Sequence, residues 1–128
     1  MRQLLLGLSA ALALGLFAAG MARAEEPTGD AARGKTAYEA RCGACHSLDA
    51  NRVGPMHRGV YGRKAGSVAD FPYSKAVKES AVVWSADTLD KWLTDPQGLI
   101  PGQRMNYRLS DPQIRADVIA YLKQQSGK

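Results

Sequence analysis

The stretch Cys42-Gly43-Ala44-Cys45-His46 decides how this chain is to be read. On a helical turn, positions three and four apart share a face, so two thiols and one imidazole at this spacing converge on a single object. Cys42 and Cys45 are the only cysteines in the sequence. Lying in one tetrapeptide, they cannot staple distant segments as the disulfides of a secreted framework do. The spacing is that of haem attachment: both thiols add to the vinyl groups while the imidazole reaches the iron, and Gly43 and Ala44 keep the intervening wall small. Three other readings use the same residues: a thioredoxin-like redox pair, a zinc site completed by His57, and a local disulfide. A redox pair belongs beside a strand-helix-strand pattern that this sequence lacks, and a zinc site leaves the downstream loop and Met105 without a purpose.

Upstream of the pentapeptide, Thr28 or Asp30 can cap a helix whose inward stripe is Ala31, Gly34, Ala37, Tyr38 and Arg41, a spacing of three and four. Downstream, Leu48 to Phe71 is punctuated by Gly54-Pro55, Gly59, Gly62, Gly66 and Phe71-Pro72, and no periodicity survives. Loops of this length are rare in small domains unless they wrap something. Ser74 can cap a short helix to about Ser80. Ser85 caps a longer one with Leu89, Trp92 and Leu93 on its buried face, and Trp84 can staple onto Leu89. Asp95-Pro96 ends that helix, because the residue before proline is pushed out of the helical region. A loop from Gly98 to Arg104 follows. Ser110-Asp111-Pro112-Gln113 starts the last helix, with Ile114, Val118, Tyr121 and Leu122 as its apolar stripe. No segment alternates as a strand bounded by hairpin turns would. The expectation is an all-α domain of about four helices around one covalently bound haem.

Low-spin iron engaged in electron transfer needs a sixth ligand, and Met56, His57 and Met105 are the candidates. Met56 and His57 lie too near His46 in sequence to reach the opposite haem face. Met105 follows Pro101-Gly102-Gln103-Arg104, a loop that can present a side chain inward. Taken alone a methionine is usually core filler, but the attachment motif upstream reverses those odds. A neutral imidazole wants an acceptor on its second nitrogen to hold its tautomer, and the Pro55 carbonyl is placed for that. A thioether favours Fe(II), so a His46/Met105 pair raises the reduction potential and leaves no open coordination site. That argues against an enzyme.

The 128 residues amount to one domain. Residues 1 to 24 read as an export signal: Arg2 gives a basic start, Leu4 to Ala19 is an uncharged apolar run, and Ala22-Arg23-Ala24 offers small residues for cleavage. The competing reading is a retained anchor, weakened by Gly7, Ser9, Gly15 and Gly20 within the run. Cleavage near Ala24 leaves residues 25 to 128 as the mature domain, with 15 basic and 12 acidic residues and a charge of +3. Such mild basicity can bias encounters with an acidic partner. Without a Lys/Arg cluster it does not support nucleic-acid binding.

From residue 29 to 123 the chain resembles class I cytochrome c, particularly the bacterial relatives of the mitochondrial protein. Besides the pentapeptide, the resemblance rests on Val53-Gly54-Pro55, Gly59-Val60-Tyr61-Gly62-Arg63-Lys64-Ala65-Gly66, Phe71-x-Tyr73-Ser74, Trp84, Pro101-Gly102-x-x-Met105 and Arg115-x-Asp117-x-Ile119-Ala120-Tyr121-Leu122. It implies helices wrapped around one haem c, with the first and last crossing through Gly34, Tyr38, Val118 and Tyr121. It also implies that Arg63, Tyr73 and Trp84 hold the haem propionates; the plainer reading makes Tyr73 and Trp84 core aromatics. The chain departs from the family at His57 for leucine, Val77 for asparagine, Trp92 for tyrosine and Gln103 for threonine. Val77 and Trp92 remove hydrogen-bonding groups near the methionine side, which bears on the potential, and His57 becomes a substitute ligand should Met105 detach. Only Arg41, Arg104 and Arg108 match the family's ring of docking lysines, with Asp111 intruding, so docking should be weaker and less salt-sensitive.

The resulting expectation is a soluble, monomeric, periplasmic carrier of one electron in a respiratory chain, touching membranes only through its partners. A quinol-oxidising complex, a terminal oxidase or a periplasmic dehydrogenase fits as partner. One alternative is a cytochrome subunit bound permanently to a periplasmic dehydrogenase. A more distant one is a peroxidase or gas sensor in which Met105 leaves the iron.

Overall fold

In the computed structural model, residues 23–127 and Gly20 are described. Most of the expected export signal, residues 1 to 24, therefore lies outside the described residues. Five helices follow in order: α1 Ala31–Arg41, α2 Lys75–Glu79, α3 Ala86–Thr94, α4 Pro96–Leu99 and α5 Pro112–Ser126. Among the described residues there is no strand, only an isolated antiparallel bridge between Lys64 and Val83. No helix among them is long and apolar enough to cross a membrane.

Helices α1, α2, α3 and α5 each begin where a short polar side chain satisfies orphaned backbone N–H groups. The Asp30 carboxylate accepts from the Arg33 N–H, Ser74 Oγ from Val77, and Asp111 from both Gln113 and Ile114. Ser85 and Thr88 cap α3 reciprocally, each side chain accepting the other's backbone N–H. The expected four helices become five because Asp95-Pro96 both ends α3 and opens α4: proline's fixed φ and missing N–H suit the first helical position. A four-residue turn is too short to show a helical period, so the sequence pattern reads it as loop.

The terminal helices make the main packing. α1 and α5 cross where Gly34 lies against the Asp117 backbone; a β-carbon at residue 34 would stand 1.9 Å from the Asp117 carbonyl oxygen. Tyr38 and Tyr121 sit beside this crossing with ring centroids 5.4 Å apart, both buried with Val118 and Leu122. A polar clasp closes one end of it. Asp117 Oδ1 accepts from the Asp30 N–H at 2.8 Å, Arg33 Nη2 at 2.9 Å and Gln113 Nε2 at 3.0 Å, while Oδ2 accepts from Arg33 Nε at 2.8 Å. The Arg33 guanidinium holds the Asp117 carboxyl down at about 2, below its ordinary 3.8.

The loop from Leu48 to Phe71 is ordered. Its turns are pinned to the attachment segment by Gly54 N–H to Cys45 O, His57 N–H to Ser47 O and Arg58 N–H to Leu48 O at 2.8 to 3.0 Å. Its far end pairs with the strand-like approach to α3, through Gly62 N–H to Trp84 O, Ala65 N–H to Val82 O and Trp84 N–H to Arg63 O.

Candidate haem-binding site

α1 runs directly into the pentapeptide. The Cys42 and Gly43 N–H groups still bond back to the Tyr38 carbonyl, and those of Cys45 and His46 bond to Cys42 O, so the helical turn continues through the motif. This is the local geometry that gathers residues at i, i+3 and i+4. Neither thiol is in a disulfide; Cys42 is partly buried and Cys45 exposed. Burial pushes the Cys42 thiol up to about 11, with Arg41 opposing, so it stays protonated at neutral pH. Arg52 secures the turn from outside, its guanidinium donating to the carbonyls of Gly43, Ala44 and His46.

His46 is held by its Nδ1, which lies 2.8 Å from the Pro55 carbonyl oxygen. The contact expected from sequence is therefore present, and it puts the proton on Nδ1 and leaves the Nε2 lone pair for a metal. Burial lowers the His46 pKa, against the raising effect of the Pro55 bond, keeping the ring neutral as a ligand must be. Gly54 must be glycine here: a β-carbon would stand 2.0 Å from His46 Cε1.

His57, expected as a substitute ligand should Met105 detach, packs against His46. Its ring stacks on His46 with centroids 3.9 Å apart and planes 18° from parallel, and its Nδ1 meets the Tyr38 hydroxyl at 3.0 Å. Burial pushes its pKa well below the ordinary value, with His46 and Arg63 adding to the shift.

The remaining site residues come from three other segments. Met105 is partly buried on the loop after α4, where Gly102 turns the chain at φ +91° and Gln103 folds back so that its side-chain oxygen accepts the Met105 N–H. Tyr73 is partly buried, and its hydroxyl accepts the Val68 N–H at 3.1 Å. Trp84 is buried against Trp92 with centroids 5.2 Å apart. Arg63 donates to Met56 O at 2.8 Å and Arg58 O at 3.2 Å, and burial lowers its pKa. None of the ion pairs among the described residues involves Arg63.

This donor set fits a covalent haem. Two unpaired thiols lie on the turn before an imidazole whose outer nitrogen is spoken for, a soft thioether sits on a separate loop, and a half-buried cation lacks a protein carboxylate, as a propionate-binding group would. Sequence reasoning missed the Arg52 bonds, the His57 stack and the role of Asp117. Asp117 left a trace only as part of a family motif with no assigned contact, and His57 only as a departure from the family and a candidate ligand; Arg52 left none.

A family model described as Cytochrome c matches residues 31–126. The chain is 44% identical over 105 residues to cytochrome c of Chlamydomonas reinhardtii, covering 79% of this chain and 94% of that one. It is 43% identical over 98 residues to cytochrome c of Euglena viridis, covering 74% and 96%. Among solved structures, cytochrome cH from Methylobacterium extorquens superposes with a TM-score of 0.71 at 45% identity, over 75% of this chain and 99% of that one. The chain belongs to the cytochrome c family. It is an electron-transfer protein with a covalent haem c, and its helical fold is the one that family shares.

Proposed function

We propose that this protein is an exported, freely diffusing carrier that takes one electron at a time from one periplasmic redox partner to another. Cys42 and Cys45 are the thioether tethers, and His46 and Met105 the axial ligands. Pro55 fixes the His46 tautomer, and Arg63, Tyr73 and Trp84 bind the propionates. A haem iron held by nitrogen and sulfur supplies reversible one-electron chemistry at a raised potential. The chain's own part is to keep both ligands in place in either oxidation state, so that little rearranges on electron transfer. His46 is held through Pro55, Gly54 and the packed loop; Met105 is held through Gln103 and the turn at Gly102. With both ligands held, no site is left for a substrate, which is why the reading is a carrier and not an enzyme.

The observation that carries this reading is the His46 imidazole, tied at Nδ1 and directly following two unpaired thiols. Partners of the expected kind are a quinol-oxidising complex, a terminal oxidase or a periplasmic dehydrogenase. Permanent assembly with a dehydrogenase would call for a broad apolar docking patch. Among the described residues the exposed large hydrophobics are only Val53 and Val83, which favours diffusion as a monomer. The docking charge is muted further than the sequence implies, because Arg108 pairs with Asp95 at 2.8 Å. The reading of residues 1 to 24 as an export signal, with cleavage near Ala24, supports a periplasmic carrier.

The test is an absorption spectrum of the purified oxidised protein and of Met105→Ala. The parent should show a sulfur-to-iron charge-transfer band at the red end of the visible range. The variant should keep its covalent haem, lose that band, bind carbon monoxide when reduced and have a lower potential. A variant spectrum identical to the parent's would rule Met105 out as ligand.

A further inference from the structure

The resemblance to the family marks residue 57 as a departure, a histidine where leucine is usual, and the structure puts that side chain flat against His46. Stacking at 3.9 Å and 18° covers one face of the imidazole. His57 is itself anchored at both ends. Its backbone N–H bonds to Ser47 O at 3.0 Å, and its Nδ1 shares a hydrogen with the Tyr38 hydroxyl, also at 3.0 Å. Tyr38 in turn is buried on α1 against Tyr121 of α5.

The His46 ring is fixed at Cγ by its own side chain and at Nδ1 by the Pro55 carbonyl, and the motion these leave is a tilt about the line that runs through its two nitrogens as χ1 and χ2 adjust. A hydrogen bond lying on that line does little to resist the motion. A second ring pressed on the face resists it directly, because rocking drives atoms of one ring into the other. A leucine would fill the same volume, but it would offer neither a flat face nor a group for the Tyr38 hydroxyl to hold.

We propose that His57 is a positioning residue that sets the rotational angle of the His46 imidazole, held to that task by Tyr38. The proposal rests on the reading of His46 as an iron ligand. It makes the terminal-helix crossing and the axial ligand one connected unit, running from Tyr121 through Tyr38 and His57 to His46.

The experiment uses oxidised holoprotein and two variants, His57→Leu and Tyr38→Phe, with proton NMR of the haem methyl and axial-imidazole resonances as the readout. The spread of the methyl shifts reports the plane of the axial ring. Both variants should retain the red charge-transfer band while the methyl spread changes in the same sense in each, more strongly in His57→Leu. Exchange of the His46 Nδ1 proton with solvent should speed up by roughly 2- to 10-fold, the factor that an aromatic pair contributes. If methyl spread and exchange rate are unmoved in both variants while only thermal stability falls, His57 is space filler and the proposal is overturned. Should His57→Leu fail to fold, Tyr38→Phe decides, since it removes the anchor and leaves the ring. A parent protein with no shifted axial-imidazole resonance would instead overturn the ligand assignment, an outcome distinguishable because it appears before any substitution.

Discussion

Replacing Gly34 with alanine sets two effects of known size against each other. Within a helix, alanine is favoured over glycine by about 1 kcal/mol, so on α1 alone the change stabilises. The crossing with α5 opposes it. The new β-carbon would stand 1.9 Å from the Asp117 carbonyl oxygen, 2.6 Å from its carbon and 2.9 Å from Tyr121 Cβ. Two of these are backbone atoms of a helix interior and cannot rotate away. Restoring an ordinary contact of 3.4 Å from 1.9 Å means parting the helices by about 1.5 Å, which loosens Tyr38 against Tyr121 and Val118 together. Overpacking of a tight core costs about 1–3 kcal/mol, and contact with backbone puts this case at or above the upper end. After the helix-propensity gain, a net loss of about 2 kcal/mol is expected. For a domain near 100 residues that lowers Tm by about 8–16 °C. Thermal unfolding of oxidised Gly34→Ala holoprotein, followed by far-ultraviolet circular dichroism, measures it. A Tm equal to or above the parent's would show that propensity outweighs the steric term and that the helices do not meet as closely as described.

Gly54→Ala should disturb the ligand and not the helices, since its β-carbon would meet the His46 ring at 2.0 to 2.6 Å while the Pro55 bond stops the ring from withdrawing. The expected result is covalent haem with a weakened imidazole bond, seen as partial high-spin absorption; an unaltered spectrum would contradict the packing. Asp117→Asn tests the clasp. The carboxyl is depressed from 3.8 to about 2, so its contribution is fully present above about pH 4 and is lost as pH falls through 2. The whole shift corresponds to about 2.4 kcal/mol, but the Arg33 side chain is 59% exposed and screening reduces this to about 1 kcal/mol. The free energy of urea unfolding should fall by that amount at neutral pH and lose its pH dependence between pH 4 and 2; a variant with the parent's acid sensitivity would remove Asp117 from that role.

The chemistry of the site was legible in the sequence because it is local. Cys42, Cys45 and His46 occupy one helical turn, so their convergence follows from chain geometry without knowledge of any other segment. The same holds for the caps Ser74 and Ser85, for Asp30, one of two candidates beside Thr28, and for Asp111 within the Ser110-Asp111-Pro112-Gln113 start, each of which bonds to backbone two or three residues away. Helix α4 escaped because four residues carry no period, and its proline announces an ending as readily as a start.

What only the tertiary structure decided involves partners far apart along the chain. Asp117 reaches residues 84 and 87 positions away, and the identity of an exposed-looking acidic residue says nothing about which arginine it will meet. His57 shows the same limit more sharply. Its type made it look like a spare ligand, and only the backbone hydrogen bonds of Gly54 to Cys45 and of His57 to Ser47 show that its ring comes to lie flat on one face of His46. Residue type and spacing settle which atoms can bind; the path of the intervening chain settles which face they approach.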